Sequence, residues 1–388
     1  MPWSVETVAA QRLEFCVLAD SDRGVSFVEL CRRYGIAPKT GYKWLSRYRE
    51  GGAAGLMDRP RVPHTSPART SVEMEELVCE LRRKHSAWGG RKIHRVLNNR
   101  GHKGVPAPST ITGILRRHGL LEAPSPSAGG YQRFEAPAPN ALWQMDFKGW
   151  FMTGTGRCEP FDILDDHSRY SLLLSAFGDQ QASTVQGLLT QAFTTYGLPD
   201  RILCDNGSPW ANTNPEHRWT GLGVWLLDIG VGVIHSRVRH PQTLGKDERF
   251  HKTMDLEVIS ARTHWDSHRQ LQAAFDHWRP IYNFERPHEG IGMAVPADRY
   301  QPSPRSFPDP LPPINYPDHY HVRKVQQNGI LHFQGHELRV PKVLIGEPVA
   351  LRPTTTNGTW TLLYVHQPMA TINLTTTPPR VNHVPAHV

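Results

Sequence analysis

The sequence predicts a multidomain protein with all-α helix–turn–helix units at the N-terminus, an α/β core and a small all-β module at the C-terminus. Short amphipathic helices with turn glycines fill the first 121 residues. Apolar strands then alternate with helices, and hairpin signals follow beyond residue 315. The predicted domains are 1–53, 70–121, 139–300 and 315–376, with linkers at 54–69 and 122–138.

The positive charge is concentrated in the N-terminal third. The 388-residue chain has a net charge of +8, and residues 1–124 hold 21 Lys and Arg against 12 Asp and Glu. This asymmetry favours a nucleic-acid partner, although a merely soluble basic surface would give the same balance. The five cysteines have no metal-site or redox spacing, which is typical of a reduced, intracellular protein. No apolar run reaches membrane-spanning length and no phosphate-binding P-loop occurs, so we expect neither a membrane partner nor a nucleotide cofactor.

Residues 26–48 predict a helix–turn–helix. Ser26 and Glu29 form a capping-box pattern, Gly35 supplies the turn, and Pro38 opens the second helix where its missing N–H costs nothing.

On that second helix, Tyr42, Leu45 and Tyr48 follow the spacing of a buried face. The opposite face is predicted to meet a DNA major groove, although a plain helical hairpin with solvated lysines is the alternative. The predicted DNA contacts are Lys39, Thr40, Lys43 and Arg47.

The next segment, residues 54–67, contains three prolines and two arginines, Arg59 and Arg61. It is either a linker or an arm that lays these arginines into a minor groove.

A second helical unit follows. Thr70 and Glu73 repeat the capping-box pattern, and Leu77 and Leu81 mark a buried face. Two further short helices each end in glycine. We expect a second helix–turn–helix-like domain with exposed cations at Lys92, Arg95, Arg116 and Arg117.

In the α/β core, two aspartates follow apolar strands. Asp146 ends the strand 141–146, and Asp205 follows the short strand RILC and precedes a turn at Asn206-Gly207. Functional side chains of α/β proteins tend to emerge at strand ends. Further strands are predicted in FDILDD, SRYSLLLSAF and VGVIHS, and helices at 180–196, 216–229, 244–260 and 266–283.

A third acid is predicted on the helix that starts near residue 244. Adjacent helical residues point about 100° apart, so Asp247 and Glu248 cannot both aim at one point. Asp247 projects near the apolar stripe, whereas Glu248 projects to the accessible face with Lys252 one turn on. Glu248 is therefore the predicted ligand and Lys252 a phosphate contact. Lys246 is a further predicted DNA contact, and Asp247 flanks the site or pairs with Lys246 or a nearby arginine.

Three carboxylates suit Mg²⁺ or Mn²⁺, which prefer oxygen ligands. Two such ions can activate an attacking oxygen and stabilise a leaving one in phosphodiester chemistry. The alternative is chance, since the chain holds 36 acids and a set of three can always be found among them.

The C-terminal region is predicted to be a small barrel or sandwich. QNGI and TNGT are hairpin signals between alternating strands, and the last dozen residues are predicted to be disordered.

Five strings in order resemble the integrase-core DDE transposases of bacterial insertion sequences, relatives of retroviral integrases. They are WQMDFKG, ILDDHSRY, YGLPDRILCDNGSPW, HPQTLGKDERFHKT and YNFERPHEGIG. The resemblance implies a ribonuclease-H-like core in which Asp146, Asp205 and Glu248 hold two Mg²⁺ (or Mn²⁺) ions and carry the catalysis.

Two residues depart from the family pattern. Leu244 stands where Asn is usual, and Asp247 stands where an apolar or neutral residue is common. The family string also includes Arg286 and His288, for which support of DNA or of the active-site edge and a structural helix-end role are both open. Asn206 is a further predicted supporting residue near the site.

The resemblance implies a transposase that binds the terminal inverted repeats of its insertion sequence. It would cleave the DNA ends by metal-assisted hydrolysis and transfer the 3′-OH strand into target DNA. Double-stranded DNA, both element ends and target, is the expected partner, with a homodimer or higher homo-oligomer on DNA in the bacterial nucleoid. A nuclease that only cuts and a catalytically inactive, transposase-derived DNA-binding regulator are the alternatives.

Overall fold

The computed structural model describes residues 7–21, 24–58, 69–121, 134–211, 219–236 and 245–384. These residues form two compact units, Met1–Arg69 and Thr70–Val388. Arg59, Arg61 and Leu244 lie outside the described residues. In the part of the chain that is described, no helix has the length and apolar character needed to cross a membrane.

The first unit is a three-helix domain of α1 (Val8–Asp20), α2 (Phe27–Arg33) and α3 (Pro38–Gly51). The Ser26 side chain accepts a hydrogen bond from the Glu29 N–H at 3.3 Å, and Gly35 has a positive φ of 64°. The predicted helix–turn–helix with its cap and its turn is therefore confirmed.

Of the residues predicted for the inward face of α3, Leu45 is buried and Tyr48 packs against the domain core, but Tyr42 is wrong. Tyr42 is 60 % exposed and stacks on Phe27, whereas Trp44 is buried. The reason is Gly41, where a Cβ atom would lie 2.7 Å from the Cys31 sulfur. Because glycine lets α2 approach so closely, the buried face is centred on Gly41 and Trp44.

The second unit begins with α4 (Val72–Lys84), α5 (Gly90–Asn99) and α6 (Pro108–Arg117). The predicted cap at Thr70 is wrong by one residue, because the Ser71 hydroxyl accepts the hydrogen bond from the Met74 N–H at 3.3 Å. Gly101 and Gly119 follow α5 and α6 with positive φ, as predicted.

The core is a mixed five-stranded sheet in the order β5-β4-β1-β6-β7. Strand β1 pairs antiparallel with β4 and parallel with β6, and β6 pairs parallel with β7. A small hairpin, which the sequence did not predict, lies between β1 and β4. The strands are β1 (Trp143–Phe147), β2 (Phe151–Thr153), β3 (Gly156–Cys158), β4 (Phe161–Asp165), β5 (Ser171–Ser175), β6 (Arg201–Cys204) and β7 (Gly232–His235).

Four helices accompany this sheet: α7 (Ala182–Tyr196), α8 (Gly221–Asp228), α9 (Gly245–Glu257) and α10 (His268–Pro280). Helix α8 is shorter than the predicted 216–229, because the Thr220 hydroxyl caps it by accepting from the Gly223 N–H. The predicted apolar stripe is buried in a cluster with α10; it consists of Phe250 and Met254 on α9 and Val258 directly after the helix.

The C-terminal part is all-β. A five-stranded antiparallel sheet has the order β14-β13-β12-β11-β8, and β9 and β10 form a separate hairpin. The strands are β8 (His321–Lys324), β9 (Ile330–Phe333), β10 (His336–Arg339), β11 (Pro348–Pro353), β12 (Thr359–Tyr364), β13 (Gln367–Asn373) and β14 (Arg380–His383). The order of an all-α region, an α/β core and an all-β module is as predicted.

Two predictions in this region were wrong. TNGT joins β11 to β12 as a hairpin, as predicted. QNGI, however, does not join two paired strands. Val325 exchanges backbone hydrogen bonds with Gly346 and Glu347, which pairs β8 with β11 instead of β9. The C-terminal residues predicted to be disordered include β14, which pairs with β13 through Ile372 and Val381.

Candidate active site

Asp146 and Asp205 lie at neighbouring positions of the sheet. Gln144 and Leu203 are registered partners in the parallel pair of β1 and β6, and each aspartate follows two residues later. Both carboxylates therefore emerge at the same level of two adjacent strands. The sequence predicted that both aspartates would lie at strand ends.

The charges of these two aspartates interact. Burial is the main reason that the pKa of Asp146 rises to about 7; His251 opposes the rise, whereas Asp162 and Asp205 add to it. The Phe147 N–H donates to Asp146 Oδ1 at 2.8 Å. A largely buried carboxylate beside other carboxylates favours a proton or a metal cation as its partner.

The loop after β6 is fixed around Asp205. Its carboxylate accepts a hydrogen bond from the Gly207 N–H at 2.9 Å, and its main-chain oxygen lies 2.9 Å from His235 Nδ1. Asn206 donates to the Ser236 carbonyl at 2.6 Å. Asn206 therefore ties the loop after β6 to the end of β7.

Helix α9 presents its two adjacent acids on different sides. Asp247 is fully buried, and neither of its carboxylate oxygens has a hydrogen-bond partner among the described residues. Burial raises the pKa of Asp247 well above its ordinary value, and the nearby Asp162 and Asp146 raise it further. Glu248 and Lys252 are exposed. The helical rotation of about 100° per residue predicted these positions of Asp247 and Glu248.

Asp162 and His251 form a buried pair beneath Asp146 that sequence reasoning missed. Asp162 is the antiparallel partner of Asp146 and is fully buried. His251 Nε2 lies 2.5 Å from Asp162 Oδ1, and Asp162 raises the pKa of His251 against the opposing effect of burial. The signal in the sequence was an acid inside the buried strand FDILD.

The side chains at the carboxyl ends of β1 and β6 supply part of the ligand set that a divalent cation needs. Asp146 and Asp205 provide hard oxygen ligands whose mutual repulsion a cation would relieve. No three His, Cys, Asp or Glu side chains lie close enough together to hold a metal ion, as far as the described residues go. Glu248 therefore does not complete a cluster with the two aspartates, and its role as third ligand stays a prediction.

Lys246, which the sequence predicted as a DNA contact, is mostly buried. Its side chain is 17 % exposed and forms an ion pair with the fully buried Asp166. The ammonium also lies 5.2 Å from the centre of the Phe134 ring. Burial lowers the pKa of Lys246 to about 8. The sequence did not indicate this pairing, because Asp166 lies 80 residues earlier in the chain.

Lys92 is also half-buried, although the sequence predicted an exposed cation. It lies where α5 approaches the catalytic core, and burial lowers its pKa to about 8. Ion pairs join the α5 region to the α/β core. Arg91 pairs with Glu289 at 3.4 Å, and Arg100 pairs with Glu285 at 3.0 Å. This surface of α5 is therefore occupied by the core.

The other predicted DNA contacts remain accessible. Lys39, Lys43, Arg95 and Arg116 are exposed, whereas Thr40 and Arg47 are half-buried. On α3, Lys43 and Arg47 lie 4.9 and 5.0 Å from the centre of the Trp44 ring.

Arg286 and His288 are buried and face the protein. Arg286 pairs with Glu257 at 3.3 Å and donates to the Thr253 hydroxyl at 3.3 Å. His288 Nε2 lies 3.4 Å from the Tyr282 carbonyl. These contacts favour the structural helix-end role, which was one of the two alternatives predicted for Arg286 and His288.

Protein families match segments in the helical, α/β and all-β parts of the chain. Residues 12–64 match a helix-turn-helix domain and residues 40–115 a homeodomain-like domain. Residues 136–241 and 229–296 match integrase core domains. Residues 320–380 match the C-terminal domain of IS481 family transposases.

Curated relatives are similar over much of the chain. An uncharacterized 39.2 kDa protein of insertion element IS476 from Xanthomonas euvesicatoria is 25% identical over 281 residues, which cover 71% of this chain and 78% of that protein. The transposase of transposon Tn552 from Staphylococcus aureus is 24% identical over 262 residues, or 60% of this chain and 53% of that transposase.

Solved structures show a distant likeness. The HTLV-2 integrase catalytic core domain in complex with magnesium has a TM-score of 0.33 and 12% identity, covering 43% of this chain and 100% of that chain. A chain of the simian T-cell lymphotropic virus intasome in complex with PP2A regulatory subunit B56 gamma has a TM-score of 0.37 and 14% identity, covering 79% and 99%.

An integrase core preceded by helix-turn-helix domains defines a DNA-acting protein with a ribonuclease-H-like catalytic fold. The predicted resemblance of the chain to the DDE transposases of insertion sequences is confirmed by these matches.

Proposed function

We propose that the protein is a DDE transposase that binds the terminal inverted repeats of its insertion sequence, cleaves the DNA ends and transfers the 3′-OH strand into target DNA. The observation that carries the proposal is the pair of Asp146 and Asp205. They emerge together from adjacent parallel strands of an integrase core that follows helix-turn-helix domains.

Asp146, Asp205 and Glu248 would hold two Mg²⁺ or Mn²⁺ ions. When bound, the ions would supply electrostatic stabilisation of the charge that develops on the phosphate and an activated attacking oxygen. The chain's own part is to place two oxygen ligands on a rigid sheet and the third on a helix beside it. Asp146 is held by the Phe147 N–H and Asp205 by the Gly207 N–H, so each keeps a fixed orientation.

The helical domains would hold the DNA. The exposed Lys39 and Lys43 of α3 suit contacts to the phosphate backbone, and Arg95 and Arg116 offer a second group of cations. Lys252 lies one turn beyond Glu248 on the accessible face of α9 and suits a phosphate near the scissile bond. Since two element ends must be joined in one reaction, a dimer or higher homo-oligomer on DNA is expected.

A strand-transfer experiment tests this proposal. The purified protein is incubated with labelled duplexes of its element's end and a supercoiled plasmid, with Mg²⁺ or Mn²⁺. Wild type should cut the ends and join them to the plasmid, and Asp146→Asn and Asp205→Asn should do neither while still binding the end duplex. Nicking without joining would favour the nuclease alternative. Full binding by wild type with no cleavage at any metal concentration would favour the DNA-binding regulator.

A further inference from the structure

The side chain of Lys246, at the start of α9, makes contacts with both Asp166 and Phe134. Its ammonium pairs with the carboxylate of Asp166 and donates to the Asp166 main-chain oxygen at 3.3 Å. The Phe134 ring lies against the same ammonium. A lysine in such a setting is fixed in position, in contrast to the exposed Lys252 on the same helix.

Asp166 connects this lysine to the strand that carries Asp146. Its carboxylate accepts hydrogen bonds from Gln144 Nε2 at 2.5 Å and from the Ala136 N–H at 2.6 Å, and the Asp166 side chain is fully buried. Gln144 lies on β1, two residues before Asp146. The carboxylate of Asp166 is therefore shared between β1 and α9.

Lys246 stands two residues before Glu248, as Gln144 stands two residues before Asp146. The connection from Gln144 through Asp166 to Lys246 thus joins the two elements on which predicted ligands lie. The other ion pairs of α9 come later in the helix, at His251, Asp255 and Glu257. In the described residues, Lys246 makes the one ion pair of the turn that carries Glu248.

We propose that the Asp166–Lys246 ion pair is a positioning device that sets the first turn of α9 against β1, and thereby sets where Glu248 lies relative to Asp146. The proposal rests on the proposed function, because it assigns Glu248 a place in the active site. It replaces the assignment of Lys246 as a DNA contact. In this role neither Asp166 nor Lys246 needs to contact DNA or the reacting atoms.

A DNA-contact role and a positioning role for Lys246 predict losses in different quantities when Lys246 is replaced. A phosphate contact contributes to affinity, so its removal raises the Kd for DNA and lowers the salt dependence of binding by about one unit of slope. A residue that orients a metal ligand acts on metal affinity and turnover, and its removal typically costs about 10- to 100-fold.

The test compares Lys246→Met with Lys252→Met, since both variants remove one positive charge from α9. For each we would measure the strand-transfer rate at saturating DNA, the Kd for the end duplex across salt concentrations, and Mn²⁺ binding by calorimetry without DNA. Lys246→Met should lose about tenfold or more in turnover and in Mn²⁺ affinity, with the Kd and its salt slope unchanged. Lys252→Met should instead weaken DNA binding.

A double-mutant cycle separates pairing from general damage to the fold. Asp166→Asn should lower turnover like Lys246→Met, and the double variant should lose no more than the worse single variant. Lys246→Arg, which keeps the charge, should recover part of the turnover. Rates are compared per folded molecule from the unfolding transition, and if Lys246→Met does not fold, Lys246→Arg with Asp166→Asn provides the cycle.

Four outcomes would overturn the inference. A raised Kd with unchanged turnover at saturation would make Lys246 a DNA contact. Additive losses in the cycle, or unchanged turnover and Mn²⁺ affinity, would show that the pair positions nothing. A wild type that neither cuts nor joins DNA removes the proposed function and this inference with it, whereas an active wild type with an active Lys246→Met removes this inference alone.

Discussion

Asp247 and Glu248 are adjacent in the chain, yet Asp247 is fully buried against the carboxylates of the sheet and Glu248 is exposed. A helix turns about 100° per residue, which is enough to place neighbouring side chains in different surroundings. Asp247 lies near Asp162 and Asp146 with both of its oxygens lacking a hydrogen-bond partner in the described part of the chain. An acid in this position weakens the packing that an apolar residue would provide.

Replacing Asp247 by valine should therefore stabilise the second unit. A buried polar group without a hydrogen bond costs about 1–3 kcal/mol in proteins, so the free energy of unfolding should rise by an amount of that order. Calorimetric unfolding of the wild type and of Asp247→Val at pH 7 measures the change as a higher Tm. A lower Tm in the variant would mean that the Asp247 carboxylate makes stabilising contacts in solution.

The buried His288 predicts a loss of stability in mild acid. Burial, and after it the nearby Arg286, hold the pKa of His288 well below its ordinary value of 6.5. A lowered folded-state pKa gives stability that is present above the unfolded pKa and lost as the pH falls below about 6.5. The Tm of wild type should fall more steeply between pH 7.5 and 5.5 than that of His288→Gln. Parallel curves would show that His288 does not contribute.

DNA binding by the first unit should depend on α3. Removing Lys39 and Lys43 together, as Lys39→Gln/Lys43→Gln, should raise the Kd for the end duplex and lower the salt slope by about two, because two phosphate contacts are lost. Lys84→Gln, an exposed lysine at the end of α4, is the control for a change of charge. If Lys84→Gln changed the Kd and the salt slope as much per charge as the α3 variant, the lysines of α3 would not be specific DNA contacts.

Local sequence patterns predicted the parts of the site that depend on one element. The apolar strand before each aspartate predicted where Asp146 and Asp205 emerge, and the helical period predicted the sides of α9 on which Asp247 and Glu248 lie. These features follow from the geometry of a strand or a helix alone.

Pairings between distant segments could not be predicted in this way. Asp166 and Lys246 are 80 residues apart, and Asp162 and His251 are 89 residues apart. Nothing in the spacing around Lys246 distinguishes a lysine that will be buried in an ion pair from one that will face DNA. For the same reason the edge strand β14 was missed, since its partner β13 supplies the hydrogen bonds that order it.

The most direct test of the account is strand transfer by Glu248→Gln and Asp247→Asn, assayed beside wild type with labelled element ends, a supercoiled plasmid and Mg²⁺ or Mn²⁺. Both variants remove one carboxylate from the same turn of α9, and DNA binding is measured in parallel. We expect joined products to disappear with Glu248→Gln and to persist with Asp247→Asn. Joining that survives Glu248→Gln and is lost with Asp247→Asn would contradict it, because the buried acid would then be the one that serves the reaction.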